Sequence, residues 1–162
     1  MIRAARPEDV GQILAFWNPM IRDTLVTFQP HGKTEAEVLE AIRSKPASGH
    51  AFLVAEEDGE VLGFASYGQF RAGPGYAKAM EHTIILAEEA HGKGIGRALM
   101  RAIEDHARQQ GYRTMVAAVT GENLAGQAFH AAIGYERVGL LPQSGYKFGR
   151  YIDLVLMQKI LS

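Results

Sequence analysis

The chain has 162 residues, 47% of them hydrophobic, which suits one domain with a substantial core. With 17 basic and 18 acidic side chains the formal charge is −1, so no basic field exists to hold nucleic acid or an anionic membrane surface. Cysteine is absent, which excludes disulfides, thiolate metal centres and a cysteine nucleophile.

Ile2-Arg3-Ala4 reads as a short strand, and Arg6-Pro7-Glu8-Asp9 as a helix start with proline and acids in its first turn. Ile13, Leu14, Phe16 and Trp17 supply that helix's buried face. Thr34 caps a second helix, with Glu37 as its capping-box partner and Val38, Leu39 and Ile42 at helical spacing. Ala51 to Ala55 and Val61 to Tyr67 are strand-like and joined by the turn Glu57-Asp58-Gly59-Glu60. Gly68 to Ala77, with its glycines and proline, reads as a loop before a strand from Met80 to Leu86. Gly94 to Gln110 is the longest helix. Ile95, Leu99, Ala102, Ile103 and His106 line one side, and Gly111 is its stop. Met115 to Val119 is a strand, Asn123 to Ile133 a helix ended by Gly134, and Tyr135 to Leu140 and Tyr151 to Met157 the last strands. The order β-α-α-β-β-β-α-β-α-β-β predicts a mixed α/β (α+β) domain over residues 1–162, with a mostly antiparallel front half. No signal-peptide core and no apolar run of ~20 residues is present, so a cytoplasmic protein is expected.

The most informative segment is His91-Gly92-Lys93-Gly94-Ile95-Gly96, followed by Arg97. A strand feeding a glycine-rich turn and then a helix start leaves unpaired N–H groups at the positive end of the helix dipole, a natural seat for phosphate. A dinucleotide fingerprint fails because its third glycine position holds Arg97. A Walker A loop fails because Ala87 and Gly94 stand where glycine and Ser or Thr are required. The pattern that remains is the pyrophosphate loop of the GNAT acetyltransferases, Gln/Arg-x-x-Gly-x-Gly/Ala, matched everywhere but at His91.

Further segments extend that resemblance over nearly the whole length. Asn18-Pro19 with Thr24 to Phe28, the strand Glu81-His82-Thr83-Ile84, Asn123 with Phe129 to Tyr135, and Gly145 to Asp153 resemble the phosphinothricin and methionine sulfone acetyltransferase group. The resemblance implies a GNAT fold: a twisted, mostly antiparallel sheet of about seven strands with about four helices, splayed between strands 4 and 5. It also implies acetyl-CoA as cosubstrate, the primary amine of a small amino-acid-like molecule of the phosphinothricin, methionine sulfone or methionine sulfoximine type as acceptor, and a homodimer. Phe148 stands where some members carry a histidine, so that histidine has no part here.

The implied reaction moves an acetyl group to an amine whose pKa is about 10.4 if it resembles lysine, so a proton must be removed before attack. By position Glu81 is the expected general base and His130 the expected proton donor to the leaving thiolate. Ile84, Ile85 and Leu86 are expected to face the cofactor arm and to supply an oxyanion donor. Asn123 is expected to bond the arm or cap its helix, and His91, Gly92, Lys93, Gly94, Ile95, Gly96 and Arg97 to meet the phosphates. For an acceptor carboxylate Arg71 is the first candidate, with Tyr76 beside it, Lys147 and Arg150 as alternatives, and Phe28 and Thr24 as pocket walls. His31, His50 and His106 are isolated and no metal-ligand spacing exists, so no metal is expected. His82 is expected on the opposite face of its strand from Glu81. Two rivals remain: an acetyl-CoA sensor without turnover, and an acetyltransferase for polyamines or peptide amines.

Overall fold

The capping signals act where they stand. Thr34 Oγ1 accepts from Glu37 N at 3.2 Å while the Glu37 carboxylate accepts from Thr34 N at 3.1 Å. Asp58 and Gly59, both at positive φ, turn the expected hairpin. At the amino end, Arg3 grips both carboxylate oxygens of Asp9 at 2.9 Å and so fixes the entry to the first helix.

A computed structural model describes residues 1–162. In chain order the elements are β1 (Ile2–Ala4), α1 (Val10–Asp23), α2 (Glu35–Ala47), β2 (Phe52–Glu57), β3 (Glu60–Gln69), β4 (Ala79–Leu86), α3 (Ile95–Gln109), β5 (Thr114–Thr120), α4 (Leu124–Ala132), β6 (Glu136–Lys147) and β7 (Arg150–Ile160), with short 3-10 turns before α1, β4 and α3. This is the order expected from the sequence. The seven strands form one sheet, β1-β2-β3-β4-β5-β7-β6, antiparallel except between β4 and β5. One core lies between the sheet and α1 and α2, around Ile13, Val38, Phe52 and Phe64. The other lies under α3, around Leu99, Ile103, Met80 and Met115.

Three expectations change. Gly68 and Gln69 continue β3 rather than opening the loop, because they pair with Glu81 and Met80. β6 runs on to Lys147 instead of ending at Leu140, because register shifts after Arg137 and Leu141 absorb the unpaired Val138 and the Pro142-Gln143-Ser144 stretch within the strand. The buried stripe of α3 is Gly96, Leu99, Met100, Ile103, Glu104 and Ala107, with Ala102 and His106 only half-buried. Glu104 can occupy that stripe because it accepts from Tyr135 Oη at 2.9 Å and Lys159 Nζ at 2.8 Å.

Candidate functional site

The glycine loop forms a left-handed path into α3. Gly92 and Gly94 have φ of 80° and 77°, and an L side chain would be strained at either position. Gly96 is buried, and a Cβ there would sit 3.2 Å from Phe129 and 3.3 Å from Leu86. The first N–H of the helix start to find an acceptor is that of Ala98, on Gly94 O at 3.1 Å. The donors ahead of it, on Ile95, Gly96 and Arg97, are the unpaired group that every helix start presents. The side chains of His91, Lys93 and Arg97 are exposed around this end.

β4 leads into that loop, and its pairing with β5 stops early. Only Ala79, Met80 and Glu81 pair with β5, opposite Thr114, Met115 and Val116. Beyond them β4 stays bonded to β3 and β5 to β7, so one edge of Thr83–Leu86 and one edge of Ala117–Thr120 face each other across a gap. The gap opens into a cavity of about 530 Å³. Thr83, Ile84 and Ile85 line it from one side, Ala117 to Thr120 from the other, and Asn123 and His130 from α4. Leu86 lies outside this lining, beside Gly96.

Glu81 lines the cavity at the paired end of β4. Burial raises its carboxyl pKa, and the charge of Lys45 on α2 opposes the rise. Lys45 also lines the cavity, together with Lys33, whose ammonium sits 5.5 Å from the Trp17 ring centre. His82 lies on the other face of β4, as its alternation requires, and stacks on His130 with ring centres 5.0 Å apart. His130 Nδ1 is 2.7 Å from Gly126 O, a carbonyl that can only accept, so Nδ1 carries the proton. A neutral His130 therefore offers a bare Nε2, and His82 Nε2, 3.1 Å away, donates to it. His82 Nδ1 is then an acceptor, buried without a partner. Burial pushes His82 down to about 3 and lowers His130 as well, so both rings are neutral at ordinary pH.

The acceptor candidates fare differently. Phe28 lines the cavity, its ring lying over Gly145, where any Cβ would collide with it. Thr24 does not line it; its hydroxyl donates to Met20 O at 2.6 Å and closes α1. Arg71 and Tyr76 are exposed in the loop entering β4, stacked on each other at 5.5 Å and outside the lining. The alternatives both have partners. Buried Lys147 donates to Ile21, Thr24 and Thr27 carbonyls at 2.5, 2.6 and 2.7 Å, and Arg150 is paired with Glu122. Asn123 caps α4 by accepting from Gly126 N at 2.9 Å, and it also lines the cavity. Sequence reasoning missed Lys45 and the His82–His130 contact. No local signal in the sequence singles out Lys45.

The acetyltransferase (GNAT) family model matches residues 16–135. An L-methionine sulfoximine/L-methionine sulfone acetyltransferase of Pseudomonas aeruginosa is 37% identical over 158 residues, covering 97% of this chain and 92% of that protein. A crystal structure of a phosphinothricin acetyltransferase from Sinorhizobium meliloti in complex with AcCoA superposes with a TM-score of 0.94 at 31% identity, covering 100% of this chain and 88% of that one. A ribosomal-protein-alanine N-acetyltransferase from Brucella melitensis superposes equally well, with a TM-score of 0.94 at 35% identity and 99% of each chain covered.

Proposed function

Because this chain belongs to the acetyltransferase (GNAT) family, we propose that it transfers the acetyl group of acetyl-CoA to the primary amine of a small amino-acid-like acceptor, of the phosphinothricin, methionine sulfone or methionine sulfoximine type. The observation that carries the acceptor class is the charge of the cavity. Lys33 and Lys45 face it against a single carboxylate, Glu81, and His82 and His130 are neutral. Such a lining favours an acceptor with an anionic group over a polyamine.

The parts fit the cosubstrate. The free N–H groups before Ala98 suit the pyrophosphate, and the unpaired edges of β4 and β5 suit the amide-bearing arm. When bound, acetyl-CoA supplies a thioester whose carbon takes the amine nitrogen and whose C–S bond then breaks, the sulfur leaving as thiolate. Glu81 takes the first proton, from the ammonium of the incoming acceptor, directly or through a water. An N–H of the Ile84–Leu86 segment that faces the gap holds the carbonyl oxygen as it becomes negative. The proton that the acylated nitrogen sheds ends on the sulfur. At rest His130 has neither a proton for that sulfur nor a free lone pair to carry one, since Nδ1–H is held by Gly126 and Nε2 accepts from His82, so it serves as the donor only when the His82 contact gives way during the reaction.

The same reading takes residues 1–162 as one domain, cytoplasmic, with no nucleic-acid or membrane partner. No helix is long and apolar enough to cross a membrane. A homodimer is supported by exposed Val138, Leu140, Leu141, Tyr146, Phe148 and Tyr151 on the edge hairpin β6–β7.

The test is an acceptor panel of phosphinothricin, methionine sulfone and methionine sulfoximine against spermidine and an alanine-terminated peptide, with coenzyme release as the signal. Turnover is expected with the first three. Glu81→Gln should cut their kcat about 10²- to 10⁴-fold at neutral pH. Preference for spermidine or the peptide would overturn the acceptor class. Acetyl-CoA binding without turnover on any amine would favour a sensor.

A further inference from the structure

Of the cations near the cavity, two are held by polar partners within the chain, one lies over an aromatic ring, and Lys45 has neither kind of contact. Lys147 is saturated by three carbonyls, Arg150 holds Glu122, and Lys33 rests against Trp17. Lys45 Nζ, half-buried in the last turn of α2, makes no hydrogen bond or ion pair. Its surroundings are shaped for it. Gly68 on β3 lies directly below, and a Cβ there would come within 2.8 Å of Nζ. Gly68 is also the residue paired across the sheet with Glu81, so the ammonium from α2 lies over β3 and the carboxylate rises from neighbouring β4 on the same face. Burial lowers the pKa of Lys45 and only the charge of Glu81 opposes this, with no hydrogen bond between the two, so the ammonium has room for a second anionic partner supplied through the cavity.

We infer that Lys45 is the anchor for the α-carboxylate of the acceptor, and that it selects free α-amino acids over amines lacking that group. The inference rests on the acetyltransferase reading above and narrows it. In an α-amino acid one carbon separates amine from carboxylate, so an amine facing Glu81 leaves the carboxylate beside its strand neighbour, where Lys45 stands. The two charges of the acceptor are thereby matched to the two opposite charges of the wall, and the amine is aimed toward the thioester side of Glu81. Arg71, exposed on its own loop and stacked on Tyr76, is left outside this contact.

The experiment compares methionine sulfone with its carboxamide, which keeps the amine and side chain but loses the negative charge. Wild type should prefer the acid by about 10- to 100-fold in kcat/KM, the worth of one charge-assisted contact. Lys45→Met should collapse that ratio toward one, chiefly through KM for the acid. Lys45→Arg should retain most of it. Acetyl-CoA affinity and circular dichroism serve as folding controls. Calorimetric titration of methionine sulfone into the CoA-saturated protein repeats the comparison without turnover and should show the same loss in Lys45→Met. Equal use of acid and amide by wild type, or a preference that survives in Lys45→Met, overturns the assignment. So does equal affinity of wild type and Lys45→Met in the titration. If wild type binds the acid through Lys45 but turns over no amine, the anchor stands and the acetyltransferase reading falls.

Discussion

The ionisation of Glu81 and His130 follows from what surrounds each one. Glu81 must be ionised to accept a proton, and burial raises its pKa above the usual carboxylate range. The rate therefore gains a limb that rises with pH as Glu81 ionises. The acceptor amine adds its own rise, so the difference between wild type and Glu81→Gln isolates the carboxylate. His130 is shifted the other way: burial lowers it, and its Nδ1 proton is committed to Gly126. An acid already protonated at rest would make kcat/KM fall as pH rises through about 6.5. The neutral pair predicts no such fall, and kcat/KM measured from about pH 5 to pH 9 decides it. A descending limb that vanishes in His130→Ala would show a resting imidazolium instead.

Among the elements, the segment between α1 and α2 depends most on distant support. It contributes Val26, Thr27, Phe28 and Gln29 to the cavity, yet it has no regular structure of its own. Lys147 at the end of β6 holds two of its carbonyls, Thr24 O and Thr27 O, together with Ile21 O of α1, and Thr120 Oγ1 holds a third, Leu25 O, at 2.5 Å. Lys147→Met should destabilise the fold by at least about 1–3 kcal/mol, the cost of stranding buried acceptors, as read by urea denaturation. It should also raise KM for the amine more than KM for acetyl-CoA, because the loosened segment walls the acceptor side. What the sequence made legible was local: the Thr34–Glu37 box, the Asp58-Gly59 turn, the glycines at 92, 94 and 96, and the strand carrying Glu81. What it hid depends on contacts far apart in the chain. His82 meets His130 across 48 residues, Lys147 reaches Thr24 across 123, and Lys45 acquires its meaning only over the Gly68–Glu81 pair. On sequence alone Arg71 is the first candidate for the acceptor carboxylate and Lys147 an alternative, and burial separates them: Lys147 is sealed under a loop and Arg71 is in solvent.

Across the whole molecule, the back of the sheet ends in a face that a lone protein would not be expected to leave wet. Leu140 is 42% exposed, Leu141 45%, Tyr146 60% and Tyr151 66%, all on the hairpin that forms one sheet edge. Light scattering should report a dimer, and Leu140→Asp with Leu141→Asp should shift the mass to a monomer. A monomeric wild type would remove the homodimer from this account. The front four strands and the back three meet along a seam of only three residue pairs. Past that point the backbone of each half presents a bare edge, and a guest with alternating amide donors and acceptors can bond to both edges. Such a guest behaves as an extra strand that the gene does not encode. On the reading proposed above acetyl-CoA is that guest, and the centre of the sheet would be completed only in the complex.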